Sequence, residues 1–303
     1  MRKRSLMAGV FLGMVLCAST VCAETVFDEK EVEILGLQKE YTIAVVCDQH
    51  IIVEDGDYTK EKEEEVKSRY DLFRNEEGTA SADAWKGIVE DVNALQPDGV
   101  VLDGDMTDFF SQANLDCLME GLKEIESPAM YLRADHDLAS WYSDTLNSKE
   151  IRKKEKAAWE MDSVMVQDHD EFLIVGINNN TSQLSKKGLK KLKKIWQQNK
   201  PVILVLHVPL QSRISDELDK ASKEAWQDRA LIWGNKDCYY EPDEVTQEFL
   251  DMVYAEDSPV VAVVGAHLHF AHEDQLNERM IQYVFDASYK GTVGVLKIKA
   301  ADS

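Results

Sequence analysis

Five stretches of nearly unbroken apolar residues, 41–47, 99–102, 129–132, 202–206 and 260–264, each run into a short segment rich in Asp and His. A run without polar alternation fits a strand covered on both faces. Between the runs lie segments with helical spacing, at 82–95, 115–125, 151–160, 185–199 and 243–254. Strand and helix therefore alternate, which is the α/β pattern. Polar residues gathered after such strands mark the ligand crevice of an α/β sheet. Strand-like stretches at 163–167 and 171–177, and again at 282–287 and 292–299, follow each other with no helix between, so a second sheet or an antiparallel extension is expected.

The chain is long enough for a full core, with 303 residues of which 44% are hydrophobic, and its 6 Pro and 15 Gly do not suggest a fibrous or disordered protein. No repeat and no Pro/Gly/Ser-rich linker interrupts residues 24–303, which read as a single domain. Its 34 Lys plus Arg against 56 Asp plus Glu give a formal charge of −22. That balance excludes a nucleic-acid partner, because phosphate backbones are held by clustered cations. The segment 1–23 opens on Met1, Arg2, Lys3, Arg4, continues in an apolar run over residues 6–18 and closes on Val21, Cys22, Ala23. It reads as a signal peptide, with an apolar run too short to span a bilayer. The expectation is an exported protein, secreted, periplasmic or at the cell surface, with no stable membrane span after cleavage. Cys47, Cys117 and Cys238 remain, an odd and widely spaced trio that reads as structural rather than as a disulfide framework.

The segments after the five runs supply Asp48, His50, Asp105, Asp135, His136, His207, His267 and His269, which include five of the seven His in the chain. Carboxylate and imidazole together suit zinc, manganese or iron, whereas calcium takes oxygen alone. The absence of Cys from the set fits a catalytic centre better than a structural one. Trp141, Tyr142, Trp226, Trp233, Tyr239 and Tyr240 lie between the later motifs and could pack in the core or wall a pocket.

Taken in order, Asp48-Gln49-His50, Gly104-Asp105, Asp135-His136-Asp137, His207 and His267-Leu268-His269 resemble the five motifs of the calcineurin-like metallophosphoesterase superfamily over residues 41–299. The resemblance implies a four-layer α/β/β/α sandwich, two mixed β-sheets flanked by helices, with two divalent or transition metal ions over the sheet ends. Carried over by position, Asp48, His50 and His269 hold one metal, Asp135, His207 and His267 the other, and Asp105 bridges them. His136 then serves as general acid, with Asp137 as its orienting partner, while a hydroxide held by the two metals attacks phosphorus. The implied activity is hydrolysis of small phosphomonoesters or phosphodiesters, and the partner a small phosphorylated substrate. Three positions depart from the family pattern. Asp135 stands where the family has Asn, adding a negative charge that could tighten cations yet repel phosphate, and Ala134 and Ala266 stand where it has Gly. They motivate an alternative expectation, a weak or silent homologue that binds metal or an organic phosphate at the cell surface. A further position, Asp108, lies where purple acid phosphatases carry a ligating Tyr, so a ferric tyrosinate centre is not expected.

Overall fold

The computed structural model describes residues 25–54, 58–140, 148–178, 183–227, 230–235 and 238–301. The signal-peptide segment, Trp141 and Tyr142 lie outside the described residues. The first half of the chain contains β1 (Val26–Ile34), β2 (Tyr41–Val46), α1 (Glu63–Leu72), α2 (Ser81–Leu95), β3 (Gly99–Asp103), α3 (Gln112–Glu124), β4 (Ala129–Leu132) and α4 (Ser148–Ala158). The second half contains β5 (Val164–Asp168), β6 (Leu173–Ile177), α5 (Lys186–Trp196), β7 (Val202–Leu206), α6 (Glu217–Trp226), β8 (Ala230–Trp233), β9 (Cys238–Tyr240), α7 (Glu244–Tyr254), β10 (Val260–Gly265), β11 (His272–Gln275), β12 (Ile281–Val284) and β13 (Thr292–Ala300).

Two mixed sheets form. One has the order β1-β13-β2-β3-β4, the other β11-β12-β10-β7-β6-β5, and β8 pairs with β9 apart from both. In the first sheet β2, β3 and β4 run parallel and β13 is antiparallel to β2. In the second, β6, β7, β10 and β12 run parallel, with β5 and β11 antiparallel at its edges. The two expected stretches without intervening helices are accounted for: β5 and β6 form an antiparallel edge, while the chain crosses from β12 in one sheet to β13 in the other.

The uninterrupted apolar runs work because alternate residues feed different layers. From β2, Ile43, Val45 and Cys47 enter a core shared with Ile203, Val205, Ala262 and Val264 of the opposite sheet. Ala44 and Val46 face the other way, into a layer with Trp85, Ile88 and Val92 of α2 and Leu115 and Leu118 of α3. On the far side, Leu204 and Val263 pack with Leu189, Leu192 and Ile195 of α5 and Phe249 and Val253 of α7. These layers make the α/β/β/α sandwich. At roughly 1.5–3 kcal/mol for each fully buried large aliphatic side chain, the three layers supply the main favourable term in folding.

The lysine-rich face of α5 is a solvated flank. Lys187 and Lys191 reach Asp162 at 3.2 and 3.3 Å, and Lys193 pairs with Glu248. Three elements run against the simple pattern. β1, with its charged Asp28-Glu29-Lys30-Glu31 stretch, nonetheless pairs in parallel with β13 along its whole length, because an edge strand needs only backbone hydrogen bonds and one apolar end, supplied by Val32 and Ile34. The polar stretch 54–65, a solvated loop by its composition, is helical at its end, where a 3-10 turn at Lys60–Lys62 runs into the first residues of α1, whose single buried residue is Val66. Likewise α6 buries little beyond Leu218, Asp219 and Ser222.

Candidate metal centre

The parallel strands of both sheets end on the same side, and hydrogen bonds knit the segments that follow them. The β2–β3 ladder continues beyond the strands through Asp48 N to Gly104 O (3.0 Å), His50 N to Asp105 O (2.9 Å) and Ile51 N to Met106 O (2.9 Å). Two bonds cross between sheets: His267 N donates to Asp48 Oδ2 at 2.9 Å, and His207 Nδ1 donates to the Asp103 carbonyl at 2.6 Å. Ala266 N also donates to His207 O at 2.9 Å. Asp48, His50, Asp105, His267 and His269 all adopt left-handed backbone conformations, with φ of 46°, 45°, 47°, 70° and 54°. Asp and His visit this region more readily than most residues, and such conformations concentrate at functional sites.

Three groups of side chains bring ligating atoms within ion-binding reach of each other: Asp48 with His50 and His269, Asp105 with His207 and His267, and His50 with Asp108 and His136, the last already closed by hydrogen bonds among its own members. In the first, the Nε2 atoms of His50 and His269 face each other at 3.1 Å. Asp48 Oδ1 lies 3.4 Å from His269 Nε2 and 3.6 Å from His207 Nε2, so it reaches toward the first two groups. In the second, Asp105 Oδ2 lies 3.1 Å from His207 Nε2. Asp48 Oδ1 and His207 Nε2 are buried with no hydrogen-bond partner, an arrangement that costs free energy unless something else binds them. His207 gives its Nδ1 proton to a carbonyl and His50 gives its own to Asp108 at 3.0 Å, which leaves both Nε2 atoms as acceptors. Orphaned buried atoms on a mixed nitrogen and oxygen donor set fit two divalent or transition cations.

The electrostatics follow from this crowding. Burial opposes ionisation of Asp48 and Asp105, but the surrounding imidazoles together outweigh it, His207 foremost, joined by His269 at Asp48 and by His136 and His50 at Asp105, and both carboxyls are held below their ordinary range. Burial pulls His267 down to about 3, with His207 adding to the effect, so its ring is neutral as a ligand requires. Asp103, between the two sheets, has both carboxylate oxygens buried without a partner, and desolvation pushes it up to about 7.

Asp135 is exposed as a residue and stands outside all of these groups, immediately before the short 3-10 turn His136–Leu138. Partial desolvation of its carboxyl by the surrounding protein, with the neighbouring Asp105 charge, raises it. His136 lines the mouth of the site, and its backbone N–H donates to Asp105 Oδ1 at 3.1 Å. Desolvation disfavours its protonated form, but Asp105 and Asp108 outweigh that and push it up to about 10. Asp137 does not orient it. Successive side chains in a 3-10 turn diverge by about a third of a circle. The Asp137 carboxylate accordingly turns inward to accept from Thr107 N (2.9 Å) and Ala134 N (2.9 Å), bracing the second motif against the third.

The group that orients the His136 ring is Asp108, fully buried, at the position where purple acid phosphatases carry a Tyr. Its carboxylate lies 3.0 Å from His50 Nδ1 and 3.2 Å from His136 Nδ1, while its carbonyl lies 2.9 Å from the same His136 atom. Arg69 of α1 closes on both carboxylate oxygens at 2.5 Å. One buried acid thus aligns His50 on one side and His136 on the other. The available signal was an acid directly before Phe109 and Phe110, a polar residue in a loop whose neighbours demand burial. Phe73 stacks on His50 with ring centres 4.1 Å apart, and Tyr240 Oη lies 3.3 Å from His267 Nε2. Of the other aromatic candidates, Trp226 packs edge-on against His269, Trp233 is buried against Phe249, and Tyr239 is largely exposed.

Gly104 makes the approach of the motifs feasible. It has φ +78°, and a Cβ there would lie 2.7 Å from His207 Nδ1 and 2.8 Å from Ala134 Cβ. Gly104→Ala is expected to destabilise the protein by about 2–5 kcal/mol, combining left-handed strain with overpacking. Urea unfolding checks this, and a loss below about 1 kcal/mol would show that the loop relaxes freely.

The calcineurin-like phosphoesterase profile matches residues 41–271. In fold the chain is similar to a dimetal phosphatase from Danio rerio, at 13% identity and a TM-score of 0.52, with 82% of this chain covering 88% of that one. It is similar to a purple acid phosphatase from yellow lupin at 12% identity and a TM-score of 0.52, where 86% of this chain spans 45% of the other. No curated protein sequence matches the chain.

Proposed function

Because the chain belongs to the calcineurin-like phosphoesterase family, we propose that this phosphate-ester hydrolase is an exported, single-domain enzyme acting on small phosphomonoesters or phosphodiesters. The observation that carries the reading is the pair of Asp/His groups, joined at Asp48, in which Asp48 Oδ1 and His207 Nε2 are buried without a hydrogen-bond partner. Two cations of the manganese, iron or zinc type would supply an activated water and neutralise charge during in-line attack on phosphorus. Asp48, His50 and His269 would hold one, and Asp105, His207 and His267 the other. Asp135, beside Asp105 at the mouth, is the remaining carboxylate for the second ion. The export reading is supported by the basic start and apolar run of residues 1–23. Among the described residues no helix is long and apolar enough to cross a membrane.

The residues around the ions divide the remaining work. His136 holds its ring by Nδ1 on Asp108, so Nε2 is the atom that can protonate a departing alkoxide. Asp108 fixes that ring and the ring of His50 together, coupling the position of the acid to that of a ligand. Phe73, stacked on His50, keeps water from one side of the site.

The test is elemental analysis together with a comparison of leaving groups. Purified protein should carry about two equivalents of transition metal and hydrolyse both an alkyl phosphate and a nitrophenyl phosphate. His136→Ala should lower kcat for the alkyl ester about 10²-fold or more and that for the nitrophenyl ester, whose leaving group needs little protonation, no more than about tenfold. Equal losses would remove His136 from the acid role. Fully metallated protein that turns over no mono- or diester would overturn the enzymatic reading.

A further inference from the structure

The geometry points to a phosphoester with an apolar alcohol as the substrate, bound with its hydrocarbon portion against an apolar wall beside the metal centre. This rests on the phosphoesterase reading and specifies its substrate class. A cleft of about 620 Å³ opens directly on the site, sharing His50, Asp105, His136, His267 and His269 with it. The rest of its described lining is dominated by Leu72, Phe73, Trp226, Leu231, Phe270 and Tyr289. Two of these, Leu72 at 61% and Trp226 at 42% exposure, are among the few large apolar side chains that the described surface leaves in water. An apolar patch of this kind, continuous with a catalytic centre, is a binding surface by default.

Two further observations say which part of the substrate belongs there. His136 lines this cleft, and a general acid must stand on the side of the leaving oxygen. The alcohol, rather than the phosphoryl oxygens, therefore faces the aromatic wall. The single Lys or Arg among the described lining residues is Arg69, and its guanidinium is committed to both oxygens of Asp108 at 2.5 Å, while the charge of His136 is directed to the leaving oxygen. The described wall thus offers no cationic clamp for a second phosphate, which disfavours nucleoside di- and triphosphates and sugar bisphosphates. Trp226 is set in place by its indole N–H, which donates to the Leu268 carbonyl at 3.2 Å, and by edge contact with His269. Its ring spans from the ligand His269 to the apolar wall, where an alkyl or aryl group leaving phosphorus would pass.

The experiment measures kcat/KM for butyl, hexyl and octyl phosphate and for glycerol 2-phosphate with the metal-loaded protein. The expected result is a rise of about two- to fourfold per added methylene until the cleft is filled, following the free energy of burying each CH₂. Trp226→Ala should flatten the series, Trp226→Phe should retain most of the slope, and Leu72→Asp should lower the octyl-to-glycerol ratio at unchanged metal content. Leu72 and Trp226 are exposed enough for these variants to fold. A flat series in the wild type, or a preference for nucleoside diphosphates, overturns the apolar-substrate assignment and leaves the phosphoesterase reading standing. A rising series that Trp226→Ala and Leu72→Asp both leave intact overturns the placement in this cleft. Absence of hydrolysis across all esters overturns the underlying reading instead.

Discussion

Asp105→Asn should leave phosphoester hydrolysis at least about 10³-fold below wild type and reduce bound metal from about two equivalents to one or fewer. Asp105 is buried, accepts the His136 N–H at 3.1 Å through one oxygen and lies 3.1 Å from His207 Nε2 through the other. An amide keeps the shape but removes a full negative charge from the group it forms with His207 and His267. Cations in such sites contribute several kcal/mol of transition-state stabilisation, and each 1.36 kcal/mol is tenfold in rate. The substitution also replaces an oxygen acceptor with a donor on one side, so either the His136 backbone or the ligating position is lost. Elemental analysis and steady-state kinetics on one preparation decide the matter. A variant that retains two equivalents and turns over normally would show that Asp105 is not a ligand.

Asp108→Asn should combine two losses that are usually separate. Stability should fall by about 2–3 kcal/mol, because Arg69 would face an amide N–H₂ where it now meets a carboxylate oxygen, and Arg69 is only partly able to turn to water. Activity on an alkyl phosphate should fall about 10²–10³-fold per folded molecule. Removing the partner of a ligating His costs about 10–100-fold, and misplacing the mouth His adds to it. Denaturant unfolding and kinetics with both leaving groups separate the contributions. The nitrophenyl ester should report mainly the His50 part, and the alkyl ester both. If stability drops while the activity of the folded fraction is unchanged for both esters, the Arg69–Asp108–His50–His136 cluster is a structural ion pair alone.

What the sequence disclosed and what it hid divide along a physical line. The strands that carry the site were readable because burial on both faces leaves no polar position for alternation to mask. The strand ends at Val46, Asp103, Leu132, Leu206 and Gly265 fall at or within one residue of the ends of the apolar runs. The side chains that complete the site come from elements with almost no apolar signal. α1 buries Val66 alone yet brings Arg69 and, just past its end, Phe73, while α6 brings Trp226. The α1 helix carries no stripe for a periodicity argument to detect, and α6 has only a short one around Leu218. Asp137 is hidden for another reason: adjacency to His136 along the chain is not adjacency in space, because a tight turn sends the two side chains apart. Asp108 was visible as a residue but not as a hub, since nothing in a linear sequence shows that three elements will converge on one carboxylate.

The left-handed backbone at Asp48, His50, Asp105, His267 and His269 carries a thermodynamic consequence. At about 1 kcal/mol for each residue held there, these five positions store on the order of 5 kcal/mol, comparable to the lower end of a domain's whole stability. Folding and cation uptake are then linked equilibria. Part of the intrinsic binding free energy is consumed in holding the frame, so the measured dissociation constant understates the strength of the coordinate bonds themselves. A chain that captured ions at these five candidate positions while folding would hold them open at little standing cost, whereas one emptied of ions would carry that load alone.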